Sequence, residues 1–344
     1  MMIRNHRKSN AANGRVWCIR AVLVAVVVCG LASGVACQQN PKAGTEAQAA
    51  SRVTPPNPAD FDPPAGAAPA GKVDASRAMN YVKEFVAIGP KPPNSEGHKK
   101  AEDYLRSKLQ ALAPQVEEDA FTADTPEGQM PMRNFIAKFP GKKDGVIVLA
   151  GHYDTNYPLR DRNYVGANDS GSSTGLLLEL AEQFKSKPPA GYSVWIVLLD
   201  GEEAVRHWTP ADSLYGSRHL AQRWKADGTA KNIKALIVLD MVGDKTLGIE
   251  RDYNSASWLQ DVVFRAATRL GSQSYFHARE IGVEDDHRPF AEVGIPVADL
   301  IDFEYGFNNV FHHTTEDTLD KLSPHSLQIV GDVVLETIRA LNMR

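Results

Sequence analysis

From residue 133 onward the chain switches repeatedly between two kinds of apolar pattern. RNFIAKF (133–139), VIVLAGHYD (146–154), YSVWIVLLD (192–200), ALIVLDMVG (235–243) and IPVADLI (295–301) read as strands. The runs at 192–200 and 235–243 are almost uninterrupted, as in strands buried on both faces. Other segments carry apolar residues at helical spacing. Behind Asp74, a natural N-cap, come Tyr81, Val82, Phe85 and Val86; within 95–112 lie Tyr104, Leu105, Leu109 and Leu112. Leu177, Leu180, Ala181 and Phe184 form a stripe within 176–184, residues 258–270 predict a further helix, and Ser323-Pro324 opens a last one through Leu327, Val330, Val334 and Leu341. This alternation predicts a single α/β domain over 74–344, with a central mixed, mainly parallel sheet covered by helices on both faces. No internal repeat is visible.

The N-terminal part has a different texture. Residues 1–36 carry Arg4, Arg7, Lys8, Arg15 and Arg20 and no acid, followed by AVLVAVVVCGLASGVA from Ala21 to Ala36. That is the pattern of an export signal, too short for a comfortable membrane span. All three cysteines, Cys18, Cys29 and Cys37, fall in or beside it, so the exported domain has no disulfide of its own. Gly34-Val35-Ala36-Cys37 resembles a bacterial lipoprotein box, which makes Cys37 the acceptor of a lipid tether; ordinary signal cleavage nearby is the alternative. The expected location is the bacterial periplasm or cell envelope. Residues 37–73 are rich in proline and alanine without apolar periodicity, which predicts a disordered tether. The composition, 43% hydrophobic and 23% charged, is that of a globular protein. Loss of the five leader cations turns 38 basic residues into 33 against 42 acidic, a surface that excludes nucleic acid as a partner.

Polar residues collect where the apolar runs stop. LLDGEEAVRHW (198–208) raises the question directly, because Glu202 and Glu203 are adjacent at a strand end and repel each other. His152 and Asp154 follow the run at 146–151, Asp240 closes the run at 235–239, and Asp169 precedes a helix start in GANDSGSS. NNVFHHTTEDT supplies His312 and His313 beyond the last strand. Singly, each has a simpler use: a core histidine, an N-cap, a turn residue, an ion pair. Together they sit where ligands bind in open α/β sheets, and such a nitrogen and oxygen set describes a catalytic zinc site.

HYD (152–154), GANDS (166–170), DGEEA (200–204), LDMVG (239–243) and HHTTEDT (312–318) resemble the M28-type zinc aminopeptidases in order and spacing, across residues 76–344. That resemblance implies Asp169, Glu203 and His313 at one metal position, His152 and Asp240 at a second with Asp169 bridging, and Glu202 as general base. EEAVRHWTPADSLYGSRHL (202–220) and GVEDDHRPF (282–290) are similar, more narrowly, to the glutaminyl-peptide cyclotransferases of the same fold. These imply one Zn2+ per chain on Asp169, Glu203 and His313, with His152 and Asp240 as hydrogen-bonding groups around it; an aminopeptidase would hold two. The narrower resemblance also implies Asp240 and Asp285 beside Glu202 as catalytic acids, Trp208 as a substrate-pocket wall, and peptides or proteins with N-terminal glutamine as substrates. His207, Tyr215, Arg218 and His219 are expected to brace the loop rather than act chemically. One departure stands out: animal-type cyclases carry tryptophan immediately before the final histidine ligand, and here that residue is His312. The oligomeric state and the natural peptide are left open by these patterns.

Overall fold

Residues 54–344 are described in the computed structural model; the expected leader, Cys37 and the tether up to residue 53 lie outside the described residues. Six strands form one sheet: β1 (Gln115–Thr125), β2 (Gly128–Phe139), β3 (Lys143–His152), β4 (Tyr192–Leu199), β5 (Ile233–Asp240) and, last in the chain, β8 (Val297–Ile301). Their order is β1-β2-β4-β3-β5-β8, antiparallel at the first two pairings and parallel from β4 to β8. A separate parallel ribbon joins β6 (Ile249–Asp252) to β7 (Phe276–Ile281). The mixed, mainly parallel sheet expected from sequence is therefore present, extended by a hairpin.

Period-two alternation divides the core between the two faces of the sheet. Ile147 and Leu149 of β3 and Ile196 and Leu198 of β4 point to one face, with α1 (Ala75–Val86), α2 (Glu96–Leu112), α3 (Gly171–Ser186), α5 (Ser257–Arg269) and α7 (Pro324–Leu341). Val148, Ala150, Val197 and Leu199 point to the other, where Leu220 and Trp224 of α4 (Tyr215–Asp227) meet Phe290 of α6 (His287–Glu292). Asp74 caps α1 through the Arg77 amide, and Ser323 caps α7 behind Pro324.

Several contacts correct the sequence expectation of a tether through residue 73. Within 54–73, Phe61 is buried and stacks on Trp258 at 5.5 Å, while Asp62 pairs with Arg265 and Arg269 of α5. The Ala68 carbonyl accepts from Arg339, the Ala70 amide donates to Glu336, and Val73 is buried. Single anchors suffice to hold an extended proline-rich strap, and a composition test averages them away.

His287, at the start of α6, joins ribbon to sheet. Its Nε2 lies 3.1 Å from Asp252 of β6 and its Nδ1 3.4 Å from Asp299 of β8, all three side chains fully buried. Burial alone would lower the His287 pKa, but the charges of Asp299 and Asp252 outweigh it and raise the value to about 10.

Two outcomes are expected. A chain beginning at residue 72 loses the Phe61 contact and melts several degrees below one beginning at residue 54, because burying one such side chain stabilises by about 2 kcal/mol. Equal melting temperatures would show that the strap is only draped on the surface. Second, the raised His287 pKa contributes stability that is complete below the unfolded value of 6.5 and is lost as pH rises through about 10. Denaturant titrations should show the gap between wild type and His287→Gln closing between those limits; a gap constant with pH would contradict a protonated His287.

Candidate active site

The parallel strands β4, β3, β5 and β8 deliver their C-terminal ends to one edge of the sheet, with β3 at the point where neighbouring connections diverge to either side. His152 ends β3, Glu202 and Glu203 follow β4, and Asp240 ends β5. Tight backbone turns carry these side chains into the crevice. Gly201 has φ +65°, Ser170 φ +76°, Met241 φ +51° and His313 itself φ +52°. Left-handed conformations at non-glycine residues are strained, and such strain persists where surrounding structure holds a functional residue in place.

The adjacent glutamates diverge. Asp154 accepts both of their backbone amides, Glu202 at 3.1 Å and Glu203 at 3.3 Å, which fixes the turn between them. The Glu203 carboxylate then receives Asn156 Nδ2 at 2.8 Å on Oε2 and lies 3.1 Å from His313 Nε2 through Oε1. Glu202 goes the other way, 3.8 Å from His152 Nδ1 and into the cavity wall. The same His313 Nε2 is 3.2 Å from Asp169 Oδ2, which also accepts the buried Tyr164 hydroxyl at 2.6 Å. The other Asp169 oxygen is 3.2 Å from His152 Nε2, itself 3.3 Å from Asp240 Oδ1. Asp317 receives the Asn168 amide at 2.8 Å and the Asp169 amide at 3.2 Å, pinning the loop before α3.

A cavity of about 600 Å³ opens on this floor, lined among others by Glu202, Asp240, Asp285, Trp208, Phe303 and His312. Of the residues named from sequence for metal, catalysis and substrate, Asp169, Glu202, Trp208, Asp240, Asp285, His312 and His313 line this cavity, and Glu203 and His152 lie behind it against His313 and Asp169. His312 stands at the position of the expected tryptophan, tilted between the rings of Phe303 (5.2 Å) and His313 (3.9 Å), its Nδ1 accepting from Asn309. His207, Tyr215, Arg218 and His219 hold the loop: the first two bond Asp212, Arg218 meets backbone carbonyls, and His219 stacks on Phe121. Sequence reading missed Asn156 and Tyr164, which orient carboxylates, and gave Asp317 no role. Asn156 was signalled by the polar run after His152; nothing marked Tyr164.

Burial holds the Glu202 carboxyl well above the usual range; the charges of Glu203, Asp285 and Asp286 add to this and His152 opposes it. Asp285 is raised for the same first reason, with Asp299 and Asp240 adding, and Asp286 is pushed up to about 7 by burial. Asp169 is held well below the usual range, because the facing imidazoles of His152 and His313 outweigh its burial. Burial would lower His313, but Glu203 and Asp169 raise it to about 11, so a proton and a metal ion would compete for its nitrogen.

The residues present fit a metal. Glu203 Oε1, Asp240 Oδ1 and both His152 nitrogens are buried without a hydrogen-bond partner. The spacings of 3.1–3.3 Å between facing ligand atoms are those of neighbours on one ion with bonds of about 2.0–2.2 Å. Asp169 can place one oxygen in each of two such groups, and the donor set of carboxylate and imidazole suits zinc.

A cavity with buried acid and imidazole at the carboxyl edge of a sheet is an enzyme site. Residues 134–338 match the model of Peptidase family M28, and the chain belongs to that family. It is 32% identical to a glutaminyl-peptide cyclotransferase-like protein of Bos taurus over 292 residues, spanning 77% of this chain and 75% of that one. A solved glutaminyl cyclase from an Acidobacteriales bacterium is 50% identical, with a TM-score of 0.78 over 82% of this chain and 98% of its own. A Zn-dependent exopeptidase from Parabacteroides distasonis is 28% identical, with a TM-score of 0.70 over 78% and 99%.

Proposed function

We propose that the protein is a zinc-dependent glutaminyl-peptide cyclotransferase, converting N-terminal glutamine of peptides and proteins to pyroglutamate with release of ammonia. One observation carries the reading: half the aligned residues are identical to a solved glutaminyl cyclase that the chain matches over 98% of its length. The leader pattern supports an exported activity of the cell envelope, tethered by a lipid on Cys37 or released by ordinary cleavage nearby.

Asp169, Glu203 and His313 would hold one zinc, and His152 and Asp240 would serve as hydrogen-bonding groups around it. When bound, the ion supplies positive charge against the carbonyl oxygen of the glutamine side chain. The chain's own residues do the rest. Trp208 walls the cavity and holds the glutamine side chain bent toward its own α-amine, and this positioning supplies much of the rate because the nucleophile is intramolecular. The amine nitrogen bonds to the side-chain carbonyl carbon and the bond to the amide nitrogen breaks. Glu202 takes the proton released by the amine and hands it to the departing nitrogen, which leaves as ammonia. Asp285, whose charge bears on Glu202 and whose own carboxyl is raised by burial, keeps a proton within reach, and Asp240 stands beside it.

The second reading is an M28-type aminopeptidase. It is favoured by the triad of His152, Asp169 and Asp240, which could hold a second ion, and by the exopeptidase similarity. A Gln-initiated peptide separates the two: the proposal predicts ammonia release with the chain intact, whereas a product one residue shorter establishes the peptidase. The roles of the paired glutamates are separately testable. Glu202→Gln should retain zinc while turnover falls by roughly 10²-fold or more. Glu203→Gln should bind zinc more weakly and regain activity when zinc is added. Metal loss in the first variant, or unchanged metal with lost turnover in the second, would reverse the assignment.

A further inference from the structure

Lys91 is the only lysine or arginine among the described residues that is buried, with no exposure at all. Burying an ammonium is costly unless its protons are satisfied and its charge is answered. Here Nζ donates to the Gly89 carbonyl at 3.0 Å and the Val165 carbonyl at 2.8 Å, and sits 4.7 Å from the centre of the Phe85 ring. Prolines at 90, 92 and 93 leave Lys91 the sole amide donor of that tetrapeptide. This amide donates to Thr155 Oγ1 at 2.8 Å, and the Thr155 amide returns to the Lys91 carbonyl at 3.2 Å.

One residue thereby grips two loops that carry site residues. Thr155 stands between Asp154, which accepts the Glu202 and Glu203 amides, and Asn156, which donates to Glu203. Val165 opens the turn through Gly166 that delivers Asp169, closed by the Gly171 amide on the Gly166 carbonyl. Burial lowers the Lys91 pKa to about 7, and the charges of Asp317, Asp169 and Asp154 oppose that shift.

We infer that Lys91 is a positioning residue of the active site: its buried side chain and backbone clamp the 154–156 loop to the 165–169 loop and hold Glu203 and Asp169 at their mutual spacing. The inference rests on the reading of those carboxylates as zinc ligands. Lys91 touches neither the metal position nor the cavity, so its effect is through the loops. In Lys91→Met the two carbonyls lose their donor while the volume is kept, and the ligand set loosens. Loosening weakens zinc binding, whereas loss of a nearby positive charge acting alone would strengthen it, so the two roles have opposite signs.

The test uses purified holoenzyme of wild type, Lys91→Met and Lys91→Arg. Zinc affinity is measured by competition with a chelator, and kcat and KM on a Gln-initiated peptide, with thermal melting recorded alongside. Lys91→Met should bind zinc about 10-fold more weakly and lose kcat by a similar factor, with KM nearly unchanged; Lys91→Arg, which keeps charge and donors, should recover most of both. Zinc affinity and kcat equal to wild type with only a lower melting point would reduce Lys91 to a fold residue and overturn the inference. Tighter zinc binding would overturn it too. Should Lys91→Met not fold, Lys91→Gln, which keeps one donor, is read by the same signs. A wild type that binds no zinc fails the underlying reading instead, and that failure is visible without any variant.

Discussion

Buried carboxylates have to be answered by positive charge, and the crevice at the end of β3, β4 and β5 concentrates them. Asp154, Asp169, Glu202, Glu203, Asp240, Asp285, Asp286 and Asp317 are all buried there, with His152 and the partly exposed His313 as nearby cations and Lys91 a weaker one, its pKa lowered to about 7 by burial. Such an excess cannot all be ionised in a low-dielectric interior without another cation or several retained protons. Both remedies leave traces: unpartnered oxygens face imidazole nitrogens on the floor, and the acids of the wall, Glu202 and Asp285, are pushed toward their protonated forms. The division between floor and wall follows from that one constraint. On the proposed reading a metal would stabilise the carboxylates below, and proton sharing stabilises those above.

The paired glutamates show how the backbone enforces the division. Adjacent acids on a regular strand would alternate faces, and after β4 a glycine at φ +65° turns the chain while Asp154 holds both amides. Glu203 is left facing Asp169 and His313, and Glu202 faces the cavity. Strain at Ser170, Met241 and His313 does the same for the turns that carry Asp169, Asp240 and His313. Catalysis of an intramolecular reaction needs a rigid mould more than an activated nucleophile, and the fold supplies rigidity at the cost of these strained turns.

Much of this was legible before any coordinates. Strands β2 to β5 and β8 are apolar enough to declare themselves, and a polar residue immediately after a buried strand must lie in the crevice, which is why His152, Glu203 and Asp240 could be named. Strand β1 was not legible because QVEEDAFTADT is half-exposed and has few apolar residues; the ribbon of β6 and β7 is too short and polar. Helix α4 was hidden inside a tract read for its chemistry. The strap at 54–73 was missed because Phe61 and Val73 are isolated anchors in a disordered-looking composition. Asn156, Tyr164 and Lys91 were missed for another reason: they act by orienting other groups, and orientation depends on which loops meet, which spacing along the chain does not encode.

The central claim is that the floor holds a single zinc on Asp169, Glu203 and His313, with His152 and Asp240 left to hydrogen bonding. Anomalous diffraction from crystals of the purified protein, recorded on both sides of the zinc absorption edge, tests it most directly. The account predicts one anomalous peak per chain, bounded by Asp169, Glu203 and His313. A second full peak between His152 and Asp240, or no peak in protein that turns over substrate, would contradict it.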